Sequence, residues 1–347
     1  RSFTAKVPST PKDSSIGVLN GIERVCQQAG VSPADISHVM HGTTVATNTV
    51  LTASGARVGL VTTKGYKQVL QIARSYVPGG LGGWVIFNKS DPLAPLELTI
   101  EADERIGAKG EVVRPLDENA LVEALKALSS AGIEALTVSL MNAYANGVHE
   151  QQVRQVAEGL LPGIPISISS EVVPEMYEYE RTETTVVNSY IRPVVSNYIE
   201  NLESELNRRM SGMQLHILRS DGGLASAEAA KATPVNLLMS GPAGGVSGAV
   251  WMARQAGYSD LLTFDMGGTS TDVALIQNGV AQTRRETRVA DVTVRSSSID
   301  VRTVGAGGGS IAYVPELTKA LRVGPQSAGA EPGPAAYAMG GTEPTVT

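Results

Sequence analysis

The sequence predicts an α/β fold, in which strands and helices alternate and pack in layers. Short β-branched or leucine-rich runs alternate with helical patterns through the first half of the chain. Glycine-bearing turns follow strand candidates in the second half, and ligands gather at the carboxyl ends of strands in such folds. With 347 residues, of which 42% are hydrophobic, the chain is long enough to bury a large core and to form two domains.

In the first half, apolar residues recur at helical spacing over residues 16–29 and 116–131. Runs typical of buried strands lie at residues 39–40, 58–61, 135–140 and 164–169. A glycine-rich loop from Pro78 to Trp84 interrupts this order, and no role is assigned to it.

In the second half, a long helix is predicted from residue 174 or 178 to residue 210. Acidic residues lie at its start and two arginines near its end, as the helix dipole favours. This helix is expected to connect two lobes, residues 1–173 and residues 174–347. A helix opened by glycine is predicted at residues 244–256. Strands are predicted at residues 216–219, 261–264, 273–276 and 299–304.

Composition excludes several classes of partner. The net charge is −6 and no run of Lys and Arg occurs, so neither nucleic acid nor an anionic membrane is an expected partner. The longest apolar stretches have the length of strands, which argues against a transmembrane helix. Because Cys26 is the only cysteine, no disulfide within the chain and no cysteine zinc cluster is expected. These features fit a cytoplasmic protein.

Residues 265–272, Asp-Met-Gly-Gly-Thr-Ser-Thr-Asp, are the segment that indicates a chemical function most strongly. Apolar runs on both sides predict two short strands around a glycine turn, with Asn278-Gly279 closing the second strand. Glycines let backbone N–H groups approach an oxyanion, and the Thr and Ser hydroxyls add donors. Two carboxylates can hold Mg²⁺ through its waters. We interpret the segment as a nucleotide phosphate site, with an ordinary polar hairpin as the alternative.

This segment is not a P-loop, because no Gly-x-x-x-x-Gly-Lys-Ser/Thr occurs and its glycines lie between two strands. It resembles the second phosphate loop of the actin-like ATPase superfamily. The resemblance implies a ribonuclease-H-like fold with two lobes around a nucleotide cleft. Three further glycine-bearing turns, at residues 220–223, 240–245 and 305–310, are expected to converge on the same ligand.

The chain as a whole resembles the hydantoinase A/5-oxoprolinase family. In the second half the matching motifs are residues 241–245, 265–272, 305–310, 323–330, 332–334 and 344–347. In the first half they are residues 41–48, 59–65 and 170–174. The resemblance implies ATP-dependent chemistry on a carbonyl group, in a hetero-oligomer with a second, B-type subunit.

Two departures from the family pattern concern the ends of the chain. Members carry a first phosphate loop of Asp-x-Gly-Gly-Thr type before the stretch that corresponds to residues 3–8, and members continue past Thr347. We therefore expect this chain to be an interior fragment of a longer subunit, with its fold incomplete at both termini.

The resemblance and the chemistry together assign roles around residues 265–272. Asp265 and Asp272 are expected to face Mg²⁺-bound water or to position the nucleophile. The glycines and hydroxyls between them, Gly267, Gly268, Thr269, Ser270 and Thr271, are expected to bind phosphate oxygens. For Asp272, a cap of the turn is the alternative.

Two further glycine sets are candidates for nucleotide contact. Gly244 and Gly245 are expected to open a helix that packs on the nucleotide. Gly307, Gly308 and Gly309 are expected to contact phosphate or ribose at a second helix start. Close packing between elements explains such glycines equally well.

His41 follows a strand and lies in a polar turn, where it is a candidate to act on the carbonyl being activated; a structural histidine that caps the turn is the alternative. Lys64 and Arg74 either clamp a substrate anion or are exposed basic residues. Four residues of the long helix region are expected to serve interlobe packing and ion pairing, namely Tyr177, Tyr179, Glu180 and Arg181.

The resemblance implies that the full subunit uses ATP and Mg²⁺ to phosphorylate a carbonyl or amide oxygen. Ring opening of a cyclic amide, such as a hydantoin or lactam, is the preferred reaction, and ATP-dependent carboxylation of a ketone is the runner-up. Two alternatives from other classes are an acetate- or sugar-type kinase and a non-catalytic ATP-binding scaffold.

Overall fold

A computed structural model describes residues 1–7, 10, 14–74, 90–210, 212–329 and 331–347. The described residues form two compact units. The first unit comprises Arg1–Ser240 and Arg285–Ser297, and the second comprises Gly241–Arg284 and Ser298–Thr347. The predicted lobes, 1–173 and 174–347, divide the chain at a different place. The glycine-rich loop from Pro78 to Trp84 lies outside the described residues.

The helices of the described residues are Ser14–Ala29 (α1), Val45–Leu51 (α2), Val69–Ile72 (α3), Glu118–Ser130 (α4), Val148–Leu160 (α5), Ser169–Val172 (α6), Glu178–Arg209 (α7), Ala227–Ala232 (α8) and Ser240–Gln255 (α9). The strands in the first half are His38–His41 (β1), Val58–Thr63 (β2), Thr99–Ala102 (β3), Arg105–Ile106 (β4), Val112–Arg114 (β5), Ala135–Ser139 (β6) and Ile166–Ile168 (β7).

The strands in the second half are Gln214–Leu218 (β8), Leu224–Ser226 (β9), Leu261–Met266 (β10), Thr271–Gln277 (β11), Val280–Ala281 (β12), Thr283–Arg284 (β13), Thr287–Val289 (β14), Val292–Val294 (β15), Ser298–Ile299 (β16), Val301–Val304 (β17), Ser310–Tyr313 (β18) and Arg322–Ser327 (β19).

A parallel sheet in the order β3-β2-β6-β7 forms the centre of the first unit. Every residue of β2, β6 and β7 is buried, as expected for parallel strands with both faces covered. Leucines of α4 pack on this sheet together with apolar residues of α5. The strands predicted around residues 58, 135 and 164 are thereby confirmed, as are the helices predicted at 16–29 and 116–131.

The long helix α7 is also confirmed, with glutamates in its first turn and arginines in its last. We predicted that it connects two lobes, but the structure places it entirely within the first unit. The reason is its burial: Val187, Ile191, Ile199 and Leu202 are fully buried in the core of that unit. Within the described ranges, no helix is long and apolar enough to cross a membrane.

The second unit contains an antiparallel sheet in which β11 pairs with β10, β12 and β17. Apolar residues of α9 pack on this sheet, and Val246 contacts a core that includes Ile276. Asn278 and Gly279 both have positive φ, at 53° and 72°, and connect β11 to β12 in a two-residue turn. The predicted turn at these two residues is therefore confirmed.

Candidate functional site

The hairpin of β10 and β11 carries the acidic glycine segment. Pairing of the strands places Asp265 directly opposite Asp272, with Gly267–Ser270 at the tip. Like charges opposite each other across two strands destabilise a sheet. Both carboxylates line one cavity of about 270 Å³, which α9 borders through Gly245. The predicted hairpin is confirmed, and its two aspartates lie on one face of the sheet, where a bound cation would offset their repulsion.

The two aspartates have different surroundings. Asp272 Oδ1 accepts a hydrogen bond of 2.6 Å from the Thr303 hydroxyl on the neighbouring strand β17. This bond orients the carboxylate across the sheet, so Asp272 does not cap the turn. Asp265 is exposed, and among the described residues it has no ion pair or side-chain hydrogen bond. Asp265 therefore has the freer carboxylate for a ligand.

The pair fits Mg²⁺ by its chemistry, because this ion keeps several waters and takes only one or two carboxylates from a protein. A group of three or more His, Cys, Asp and Glu that can hold a metal does not occur in the described part of the chain. A fully protein-bound metal centre is thus not formed by these residues, whereas a metal that also binds substrate phosphates needs only the two aspartates.

At the tip, some of the predicted phosphate ligands are free and others are occupied. Gly267 N–H donates to Ser270 O at 2.9 Å, and the Thr271 hydroxyl donates to Ala306 O at 2.6 Å. In contrast, no hydrogen bond within the described residues uses the N–H groups of Gly268, Thr269 or Ser270. Three consecutive free donors at an exposed tip are suited to an oxyanion.

The loop at residues 305–309 packs against this tip. Gly308 N–H donates to Gly267 O at 2.9 Å, and Gly309 N–H donates to Gly268 O at 2.6 Å. The Gly307 N–H donates to Ser310 Oγ at 2.8 Å. A strand, β18, follows this loop. The predicted second helix start is therefore wrong, and the N–H groups of Gly308 and Gly309 hold this loop against the tip.

We expect Gly307→Ala to disrupt this packing. A Cβ at Gly307 would lie 2.7 Å from Gly267 O, Gly268 C and Ser270 N, all of which are backbone atoms that cannot rotate away. Overpacking of this kind costs about 1–3 kcal/mol. Calorimetric unfolding should show a lower midpoint for this variant. Gly305→Ala is the matched control, because nothing lies within 4 Å of its added Cβ; equal midpoints for the two variants would contradict the packing role.

Helix α9 begins at Ser240, four residues before the predicted start. Gly244 and Gly245 therefore lie in its second turn and do not open it, which corrects the prediction. A Cβ at Gly245 would lie 3.8 Å from Asp265 Oδ2, so this position of α9 adjoins the carboxylate at ordinary contact distance. A contact of Gly244 and Gly245 with a nucleotide stays a prediction.

In the first unit, His41 is the last residue of β1 and its Nε2 lies 2.8 Å from the Tyr198 hydroxyl of α7. The partner on a distant helix shows that His41 does not simply cap its own turn. Burial lowers the pKa of His41 to about 4, so the imidazole is neutral at pH 7. The predicted catalytic role of His41 stays a prediction.

The turn at residues 220–223 is a plain hairpin between β8 and β9. Arg219 N–H donates to Gly223 O at 2.8 Å, and the Asp221 carboxylate accepts from Arg219 and from Gly223 N–H. The Asp221 carboxylate and the Gly223 backbone are therefore paired within the turn, whereas Ser220 donates to Asn236 O outside it.

A buried polar cluster near the carboxyl ends of β2 and β6 was missed by sequence reasoning. His149 Nδ1 lies 2.6 Å from Glu104 Oε2, and both side chains are at most 4% exposed. Glu150 is fully buried, and it accepts hydrogen bonds from Leu140 N–H and the Ser169 hydroxyl. Burial raises the pKa of Glu150, and these hydrogen bonds oppose the rise. In the sequence, the one feature that pointed to this buried cluster was the pair of adjacent polar residues at 149 and 150.

Fold and site together define a mixed α/β protein that carries a glycine hairpin with paired carboxylates. A family model described as the hydantoinase/oxoprolinase N-terminal region matches residues 2–161, and one described as hydantoinase/oxoprolinase matches residues 181–347. The chain belongs to the hydantoinase/oxoprolinase family.

Two curated relatives and a solved structure illustrate the similarity. The chain is 34% identical to caprolactamase subunit alpha of Pseudomonas jessenii, over 99% of this chain and 50% of that protein. It is 35% identical to the acetophenone carboxylase gamma subunit of Aromatoleum aromaticum, over 99% of this chain and 49% of that subunit. The crystal structure of ATP-dependent caprolactamase from Pseudomonas jessenii matches with a TM-score of 0.83 at 34% identity, over 98% of this chain and 50% of that one. The chain spans about half the length of these relatives.

Proposed function

We propose that this chain is part of the A-type subunit of an ATP-dependent enzyme that phosphorylates a carbonyl oxygen and thereby activates a cyclic amide for hydrolysis. The observation that supports this function is the hairpin tip, where the free N–H groups of Gly268, Thr269 and Ser270 adjoin the paired carboxylates of Asp265 and Asp272. We also propose the actin-like, ribonuclease-H-like arrangement for the complete subunit, with lobes 1–173 and 174–347.

Phosphoryl transfer needs positioning and electrostatic stabilisation more than covalent help from the protein. The three N–H groups at the tip hydrogen-bond the phosphate oxygens, and the Thr269 and Ser270 hydroxyls add donors. Asp265 and Asp272 are the residues that would hold Mg²⁺, which would supply positive charge to offset that of the phosphates. His41 remains the candidate to act on the carbonyl being activated, and because its imidazole is neutral at pH 7 it would do so as a hydrogen-bonding group.

The family relationship supports two substrate classes. Caprolactamase is named for a cyclic amide, and the acetophenone carboxylase gamma subunit belongs to an enzyme named for a ketone. Both relatives are named as subunits, which supports a hetero-oligomer with a B-type partner. We favour the cyclic amide, and keep ATP-dependent ketone carboxylation as the second candidate because the carboxylase subunit is equally similar.

The proposal is tested by mixing the complete subunit with its B-type partner and following ADP and ring-opened product together. Hydantoin, 5-oxoproline and caprolactam serve as amide probes, and bicarbonate with a ketone serves as the rival pair. We expect ATP cleavage coupled to amide conversion only when both subunits are present. Stoichiometric ring opening without the partner would refute the two-subunit requirement, and bicarbonate-dependent loss of ketone would move the assignment to the carboxylase.

A further inference from the structure

The first unit contains a cleft at the carboxyl ends of two neighbouring strands of its parallel sheet. From β2 the chain first adds β3 on one side and later adds β6 on the other, so the order of the strands reverses between β2 and β6. In open α/β sheets, ligands bind outside the carboxyl ends of the strands at such a reversal. Gly65 and Tyr66 follow β2, and Met141 follows β6, and all three line the cleft.

This cleft has a volume of about 410 Å³, which is within the range of small-molecule sites. Its surface is mainly apolar, and Val69 and Ile72 of α3 line it together with Met141. The start of α7 completes the wall with Glu178 and Glu180. The cleft is therefore large enough for a ring of five to seven atoms, with an apolar wall and a polar wall.

Two strained backbone positions lie at the same cleft. Ala73 and Tyr177 both line it, and they adopt φ values of 50° and 81° although neither is glycine. Arg74, which follows Ala73 in the chain, contacts the start of α7. Its guanidinium lies 4.8 Å from the centre of the Tyr177 ring, and its Nε donates to Glu180 at 2.5 Å. Strained residues persist where the surroundings hold them, and they cluster at ligand sites.

The base of the cleft is fixed by the buried cluster described above. The Thr63 hydroxyl, at the end of β2, donates to Glu104 and accepts from Met141 N–H at 2.9 Å. Glu104 in turn contacts His149 at 2.6 Å. These bonds tie the segment after β6 to the end of β2, so the two edges of the cleft are held at a constant separation.

The charged side chains that line the cleft limit which ligands it can bind. The described lining contains one cation, Arg74, which pairs with Glu180, and a second carboxylate, Glu178, so the cleft disfavours an anion. The predicted clamp on a substrate anion is therefore not supported at Arg74, and Lys64 is paired with Asp103 at 3.0 Å. A neutral amide matches better, because its carbonyl accepts from a guanidinium and its N–H donates to a carboxylate.

We propose that this cleft binds the small cyclic amide on which the proposed activity acts, with its ring against Val69, Ile72 and Met141. This inference rests on the proposed function for the statement that the ligand is the substrate. Binding of the amide to the cleft does not depend on that function. It predicts that a ring bearing both a carbonyl and an N–H binds better than a ring bearing a carbonyl alone.

The test is direct titration of the purified protein, without nucleotide, with δ-valerolactam, cyclohexanone and cyclohexanecarboxylate. These probes share a six-membered ring and differ in polar group. We expect δ-valerolactam to bind tightest and Ile72→Arg to weaken its binding about tenfold or more, because the new side chain fills the cleft. Ile16→Arg is the matched control, since both isoleucines are exposed, at 48% and 59%, and only Ile72 lines the cleft.

Three outcomes would overturn the site: no lactam binding by the wild-type protein, equal affinity for cyclohexanone or for the carboxylate, or equal loss of lactam binding in the two arginine variants. Unfolding midpoints of both variants show whether a loss reflects misfolding. The proposed function is judged separately by nucleotide-dependent turnover. Selective lactam binding without any such turnover would support the cleft as a lactam-binding site and contradict the phosphorylation mechanism.

Discussion

Asp265→Asn in the complete subunit is expected to lower turnover by at least about a hundredfold while the protein stays folded. Asparagine keeps the shape of the side chain but removes the negative charge that the proposed function assigns to holding the metal. Folding should be retained because Asp265 is exposed and has no ion pair among the described residues. Removal of one of two opposed carboxylates even relieves repulsion, so the unfolding midpoint should stay equal or rise.

The measurement is steady-state ADP release, with unfolding followed in parallel by calorimetry. Glu316→Gln is the matched control, because this exposed carboxylate of the second unit does not line the cavity next to Asp265. We expect the control to keep wild-type turnover. Near-wild-type turnover of Asp265→Asn would assign this residue a purely structural role and remove the main support for the phosphate site.

The hairpin and its pairing were predictable from the sequence because local rules determine both. Apolar runs of strand length flank the glycines, and Asn278-Gly279 is a pair that adopts positive φ at little cost. Equal spacing from the turn then places Asp265 opposite Asp272 without any knowledge of distant contacts.

The use of each glycine was not predictable, because it depends on contacts between distant segments. Gly307–Gly309 pack on the hairpin tip from about forty residues away, and no local pattern distinguishes that use from phosphate binding. The start of α9 was missed for a different reason. Pro242 and its neighbouring glycines are typical of a turn, although proline is tolerated in the first turn of a helix.

The buried cluster was missed because helical periodicity assigns charged residues to the solvent side. His149 and Glu150 lie in the first turn of α5, where acidic residues are common on exposed surfaces. The segments that follow β6 and β7, which converge in three dimensions, supply the partners that make burial of Glu150 tolerable.

Arg181→Met is expected to destabilise the first unit by about 3–5 kcal/mol, because it removes one partner of a buried charged network. The Arg181 side chain is fully buried. It donates to Leu140 O at 2.6 Å, to Ser169 Oγ at 3.0 Å and to Glu175 O at 3.2 Å. Methionine has a similar length and a good helix propensity, so the loss reflects the unpaired acceptors rather than the helix itself.

Calorimetric unfolding checks this expectation, with Arg208→Met as the matched control on the same helix. Arg208 is 66% exposed and pairs with Glu205 at the surface, so its loss should change the stability by less than about 1 kcal/mol. Equal midpoints for the two variants would show that the buried arginine contributes nothing beyond a surface ion pair.

A double variant, Arg181→Met with Glu150→Gln, distinguishes charge pairing from hydrogen bonding. Ser169 Oγ links the two side chains, since it accepts from Arg181 and donates to Glu150 at 2.6 Å. Burial lowers the pKa of Arg181, and the negative charge of Glu150 opposes this effect. If mutual charge compensation dominates, the double variant should lose less stability than the sum of the single variants. Simple additivity would instead mean that the two groups act through separate hydrogen bonds.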